Sequence, residues 1–179
     1  MSETQNNTKK FSIAVRFFHW ASVLMVAGVY ASIWMRKLFE KGTDARMLVM
    51  NVHFALGFLL MGWLLLRMLA FFASKRPPIV PEVPSWQKKA LKLMVGLQWG
   101  LMLIMPLSGW LMGNAKGRTV KVFDIPFPTL LEKNDTLAKM LGEGHEVMGK
   151  VFLALILMHT AMALWHHFFK KDNALRRML

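Results

Sequence analysis

The sequence contains no cysteine. That absence removes disulfides, thiolate metal sites, iron–sulfur clusters and covalent haem attachment through Cys-x-x-Cys-His. Acids are scarce too, 10 against 23 Lys and Arg, and charged residues make up only 18% of the chain. Soluble domains carry about 25%. The shortage is localised: residues 17–35, 47–66, 93–115 and 151–169 contain no Asp, Glu, Lys or Arg. These runs are 19, 20, 23 and 19 residues long and hold 81 of the 179 residues. A membrane-crossing helix needs about 20 apolar residues, so each run is long enough. A soluble enzyme, a disordered tail and a DNA-binding domain are excluded. The chain reads as an all-α membrane protein, a four-transmembrane-helix bundle.

The net charge of +13 then follows from topology rather than from nucleic-acid binding. With the N-terminus inside, the inner segments hold thirteen cations and three acids, and the outer segments ten cations and seven acids. Lys and Arg orient a membrane chain while acids contribute little, so thirteen against ten favours both termini in the cytoplasm. Residues 1–11 read as a polar tail and 12–179 as a single four-helix domain. The start of the chain does not read as a cleaved leader, because its apolar stretch is too long, holds His19 and lacks a small-residue cleavage site.

Helices are expected over about 12–35, 47–73, 86–113 and 144–169. Pro77, Pro78, Pro81 and Pro84 make 75–85 an extended connector, and Pro106 is expected to bend the third helix. The longest connection, 114–144, holds a candidate short interfacial helix at 135–141.

Six histidines remain to be explained: His19, His53, His145, His159, His166 and His167. An ionisable group inside a bilayer is costly and carries function by default, although any one of these His alone is equally well explained as an interface anchor. Their arrangement is more specific. His145 and His159 are fourteen residues apart, which is about 40° short of four full turns and about 21 Å of rise, so they share one face at two depths. The alternating direction of the spans puts His19 level with His159 on the inner side. It puts His53 level with His145 on the outer side.

One tetrahedral zinc cannot join both pairs, and no carboxylate or thiolate lies deep in the spans to complete two separate metal sites. A haem iron takes four nitrogens from its macrocycle and needs only one or two axial ligands from the protein. The pattern points to two b haems, with His19 and His159 as axial iron ligands on the inner side and His53 and His145 on the outer side. Gly57 and Gly149, each four residues after a proposed ligand, are expected to clear space for porphyrin, with ordinary helix packing as the competing explanation. His166, seven residues after His159, is a candidate propionate or quinone contact, against a role as an interfacial cap. Arg16, Arg67, Lys150, Lys170 and Lys171 are candidates to neutralise propionates, against simple snorkelling.

Together these features resemble the bacterial cytochrome b561 family, in the superfamily that includes the haem-b subunits of nickel–iron hydrogenases and formate dehydrogenases. The resemblance is carried by Arg16-Phe-Phe-His19-Trp20, by His53, by Pro106-Leu-Ser-Gly109 and by His145-Glu146 with its fourteen-residue step to His159. It continues through the ending His166-His167-Phe-Phe-Lys-Lys-Asp172-Asn173-Ala-Leu-Arg176. It implies the same pairing of the four ligands. One departure is Gln98-Trp99, where many relatives carry further histidines.

The resemblance also implies a quinone-linked oxidoreductase of the bacterial inner membrane, multi-pass. It would pass single electrons from a small donor, superoxide among them, to ubiquinone, with lipid and quinone as partners. Cationic outer residues Arg118, Lys121 and Lys150 are candidates for steering a small anion. The alternative is a haem-b membrane-anchor subunit linking quinone to a separate dehydrogenase or hydrogenase partner. The compactness of the chain favours the stand-alone form, and nothing resembling an output domain supports a sensor.

Overall fold

The computed structural model describes residues 10–122 and 125–179. Most of the expected polar tail, 1–9, and the outer acid Asp124 lie outside the described residues. Four long helices dominate: α1 Ile13–Met35, α2 Asp44–Ala73, α3 Ser85–Ala115 and α4 Asp135–Trp165. All four are long and apolar enough to cross a membrane.

Each helix begins where something meets the free amides of its first turn. Ser12 Oγ accepts from Val15 N–H at 3.4 Å, Thr43 Oγ1 from Arg46 N–H at 3.4 Å and Asn134 Oδ1 from Leu137 N–H at 2.9 Å. Pro84 ends the extended connector, and its carbonyl starts α3 by accepting from Lys88 N–H at 3.3 Å. Helix α3 then continues through Pro106.

One expectation needs correction. The short helix at 135–141 is not a separate element: α4 starts at Asp135 and runs unbroken to Trp165. Asn134 caps it, no proline follows, and Ala138, 4% exposed, buries its first turns. A π-helical turn, His166–Lys170, ends it at Lys171, whose φ is 54°. The long loop is also not wholly irregular. It folds back as an antiparallel ribbon, β1 Lys121–Val122 against β2 Ile125–Pro126.

That loop packs onto the middle of α2 and the end of α3. Val122, Ala55 and Phe58 are buried together, and a Cβ on Gly113 would lie 2.5 Å from Val120 Cγ2. Gly113→Ala is therefore an overpacking substitution, which typically costs about 1–3 kcal/mol. A melting temperature several degrees lower in detergent is expected; an unchanged one would contradict this packing.

Helix α2 runs along α1 and α3, and α3 runs along α4, whereas the backbone of α4 does not run closely along α1 or α2. The centre of the bundle is a buried apolar layer of Leu60, Leu64, Met102 and Phe152. Large apolar side chains such as Leu24, Leu69 and Leu157 point outward at 74%, 67% and 61% exposure, the surface a lipid-facing bundle requires. The connector 74–84 and the C-terminus share one end of the bundle, the terminal end, with the start of α1. The fully buried Asn173 ties them: its Oδ1 accepts from Val80 N–H at 2.9 Å and its Nδ2 donates to the Pro78 carbonyl at 3.3 Å. Trp20 Nε1 donates to the Met178 carbonyl at 2.8 Å, and Arg16 reaches the Leu179 carbonyl at 2.5 Å.

Candidate functional site

The four expected histidines come together as two pairs. His19 on α1 and His159 on α4 face each other near the terminal end, with ring centres 6.5 Å apart. His53 on α2 and His145 on α4 face each other near the loop end, 6.4 Å apart. All four are half-buried. The rings meet where the backbone of α4 stays away from α1 and α2. Among the described residues no group of three His, Cys, Asp or Glu is placed to hold a metal ion, so each pair offers two donors and no more.

The loop-end pair is oriented by hydroxyls. Ser108 Oγ donates to the Met105 carbonyl at 2.8 Å and so accepts from His145 Nδ1 at 2.8 Å. His53 Nδ1 lies 3.3 Å from the Val29 carbonyl, which can only accept, and 3.1 Å from Ser32 Oγ. Both Nδ1 atoms therefore carry the proton, leaving each Nε2 with a free lone pair, the form in which a neutral imidazole binds a metal. Gly109 belongs to this arrangement, because a Cβ there would sit 3.3 Å from His145 Cε1.

The terminal-end pair is set differently. His159 Nδ1 is buried without a partner. His19 Nδ1 lies 2.9 Å from a nitrogen of the Arg67 guanidinium, a group that only donates.

Gly57 and Gly149 both face α3: a Cβ on Gly57 would meet Pro106 Cβ at 3.8 Å, and one on Gly149 would meet Met105 Cε at 3.4 Å, both ordinary contacts. Of the candidate cations, Arg16 is engaged with the C-terminus and Lys150 is bonded to Glu146 at 2.7 Å on an exposed face. Lys170 and Lys171 are exposed.

His166 pairs with Asp172, Nδ1 to Oδ2 at 2.5 Å, and Asp172 is only 3% exposed. The couple lines a pocket of about 200 Å³ at the terminal end, with Pro81, Gln87 and Lys170. His167 Nδ1 is buried without a partner and takes no part in either pair.

Ser32, Ser108 and Phe152 are absent from the candidates drawn from sequence. For Phe152 a signal existed, since it lies seven residues from both His145 and His159 and so on nearly the same face of α4, midway between them. There it joins the apolar layer that separates the two pairs, with Tyr30 beside it at 6.5 Å between ring centres. Tyr30 Oη donates to the Gly149 carbonyl at 2.8 Å, spanning from α1 to α4.

Comparison with known proteins agrees with this architecture. The chain is 29% identical over 170 residues to cytochrome b561 homolog 1 of Escherichia coli (strain K12), covering 95% of this chain and 97% of the relative. It is 29% identical over 182 residues to cytochrome b561 homolog 2 of the same organism, covering 97% and 93%. A Yersinia pestis protein named probable superoxide oxidase CybB is 28% identical over 178 residues, covering 96% of each. The family model described as prokaryotic cytochrome b561 matches residues 10–179. With four membrane-length helices and that match along nearly its whole length, the chain belongs to the prokaryotic cytochrome b561 family, multi-pass membrane electron-transfer proteins that carry b-type haem.

Proposed function

We propose that the protein is a di-haem b-type electron carrier of the bacterial inner membrane with both termini cytoplasmic. It acts as a quinone-linked oxidoreductase, passing single electrons from a small donor to ubiquinone. The observation that carries this is the two imidazole pairs, 6.5 and 6.4 Å between ring centres, at opposite depths of one bundle. Each ring would offer one nitrogen to an iron bound between the members of its pair. A haem fits the donor set as well, since it asks for two nitrogens and each pair offers two.

His19 and His159 would hold the haem on the cytoplasmic side, and His53 and His145 the one on the outer side. When bound, each haem supplies a one-electron carrier. The chain supplies the rest. Ser32 and Ser108 fix the proton on Nδ1 of the outer ligands, and the layer around Phe152 keeps water from the space between the two depths. The His166–Asp172 couple, in its pocket at the terminal end, would offer hydrogen bonds to a quinone bound there.

Superoxide is the donor we favour. One relative's name points to it, and the outer end is cationic. Burial, and after it the neighbouring Arg118 and Arg36 charges, pushes the Lys116 amine below the ordinary lysine value; those three cations form a cluster that would draw small anions. The reaction balances as two superoxide anions, one ubiquinone and two protons giving two dioxygen molecules and one ubiquinol. Purified protein in ubiquinone-loaded vesicles, given superoxide, should form one ubiquinol per two superoxide consumed. Ubiquinol formation no faster than in protein-free vesicles would overturn superoxide as donor.

A further inference from the structure

Among the described residues, two arginines next to the histidine pairs are bonded to no carboxylate. Arg67, inside α2, donates to His19 Nδ1 at 2.9 Å and to Met102 Sδ at 4.0 Å, and faces the Trp99 ring at 5.9 Å. Arg36, at the end of α1, donates to Met50 Sδ at 3.8 Å, and its Nε is buried with no partner. Arg36 lies one turn beyond Ser32, the residue that contacts His53, and Met50 lies one turn before His53. Each histidine pair thus has one arginine beside it.

Among the described residues neither arginine reaches a carboxylate. Glu146, next to His145 in the chain, is bonded to Lys150 instead. A guanidinium has five donors, and a thioether sulfur is a weak acceptor. A charge withdrawn from water on such partners is poorly compensated. Both arginines are placed as if for a stronger acceptor.

The contact with His19 sharpens this. Arg67 only donates, so His19 Nδ1 must accept, using the lone pair of that nitrogen. If Nε2 binds a metal, Nδ1 of the neutral ring carries the proton and can no longer accept. If Nδ1 binds, its lone pair is taken. Either way, a metal on His19 deprives Arg67 of that partner.

We propose that Arg67 and Arg36 are the carboxylate-docking groups of the two cofactor sites. Arg67 serves the His19–His159 site and Arg36 the His53–His145 site, each taking a propionate of the haem bound there as a two-pronged ion pair. This rests on the two-haem reading above and goes beyond it. Arg16, Lys150, Lys170 and Lys171 are engaged elsewhere or exposed. Arginine suits the task because its fork matches a carboxylate and keeps its charge when buried.

The test uses the full-length protein carrying its haem, as wild type, Arg67→Gln, Arg67→Lys and Arg36→Gln. Two quantities are read: the rate of haem loss to excess apomyoglobin, and the midpoint of each haem in a redox titration. In Arg67→Gln one haem should leave at least roughly tenfold faster, the scale of a lost charge-assisted bond. Its midpoint should fall, because an uncompensated carboxylate disfavours an added electron. Arg67→Lys should restore the midpoint but only part of the retention, since it keeps the charge and loses the fork. Arg36→Gln should do the same to the other haem, the two being told apart in His53→Ala and His159→Ala backgrounds.

Wild-type rates and midpoints in both Gln variants would overturn the proposal while leaving the two haems standing. A wild-type protein without two haems would instead overturn the reading beneath it, and this proposal with it. Should Arg67→Gln fail to assemble, Arg67→Lys decides alone. Faster haem loss at a retained midpoint supports the ion pair, and wild-type values of both quantities overturn it.

Discussion

Replacing His159 by Ala is expected to leave the protein with one haem in place of two, and replacing His53 by Ala should leave the opposite one. The expectation follows from the way α4 is shared. His145 and His159 stand on one helix, yet each faces a different partner, His53 on α2 and His19 on α1. Losing either member of a pair removes one of two axial bonds, so His19→Ala should empty the same site as His159→Ala, and combining them should lose nothing more. Combining His19→Ala with His53→Ala should remove both haems. Haem per chain, by pyridine haemochrome on purified protein, reads all of these. Loss of the same haem in His53→Ala and His159→Ala would contradict the pairing, as would retention of both.

The second large effect is expected far from the histidines. Asn173 is fully buried and fastens the C-terminal segment to the proline-rich connector, with its side chain meeting the Val80 amide and the Pro78 carbonyl. Asn173→Ala strands both of those backbone groups, each at about 1–3 kcal/mol when left unsatisfied. The same segment places Asp172 against His166 and brings the Leu179 and Met178 carbonyls to Arg16 and Trp20. Asn173→Ala should therefore lower the melting temperature in detergent by more than Gly113→Ala does. It should also loosen the pocket around His166 while leaving the haem content unchanged. A melting temperature like that of wild type would show that the C-terminal segment is not held in this way.

The spans were legible in the sequence because bilayer thickness dictates the length of a charge-free run; α1 and α3 end where charge returns, whereas α2, α3 and α4 each carry charged residues within at least one of their ends. That signal stops at the membrane surface, which is why the first turns of α4 read as a separate helix at 135–141. Outside the bilayer the Asn134 cap, the Asn134 amide on the Ala115 carbonyl and the burial of Ala138 hold those turns in line. The histidine pairing was legible for a geometric reason: alternate spans run in opposite directions, so position along the chain converts to depth.

The residues that orient the rings were not legible. Ser32 and Ser108 are common helix residues whose importance comes from the one atom each one meets. Arg67 read as a propionate partner or a snorkelling cation, and its contacts with His19 and Met102 came only with the structure. Gly57 and Gly149 sit one turn from proposed ligands, but that both face α3 is a property of packing that spacing alone does not give. The tie between Asn173 and Val80 spans 93 positions, beyond the reach of local pattern.

The most direct test of the central claim is the haem stoichiometry and spin state of the purified wild-type protein, oxidised and dithionite-reduced. Two b haems per chain are predicted, both six-coordinate and low-spin in each state, with no carbon monoxide binding after reduction. A single haem per chain, or a high-spin haem that takes up carbon monoxide, would contradict the account of two histidine-clamped sites.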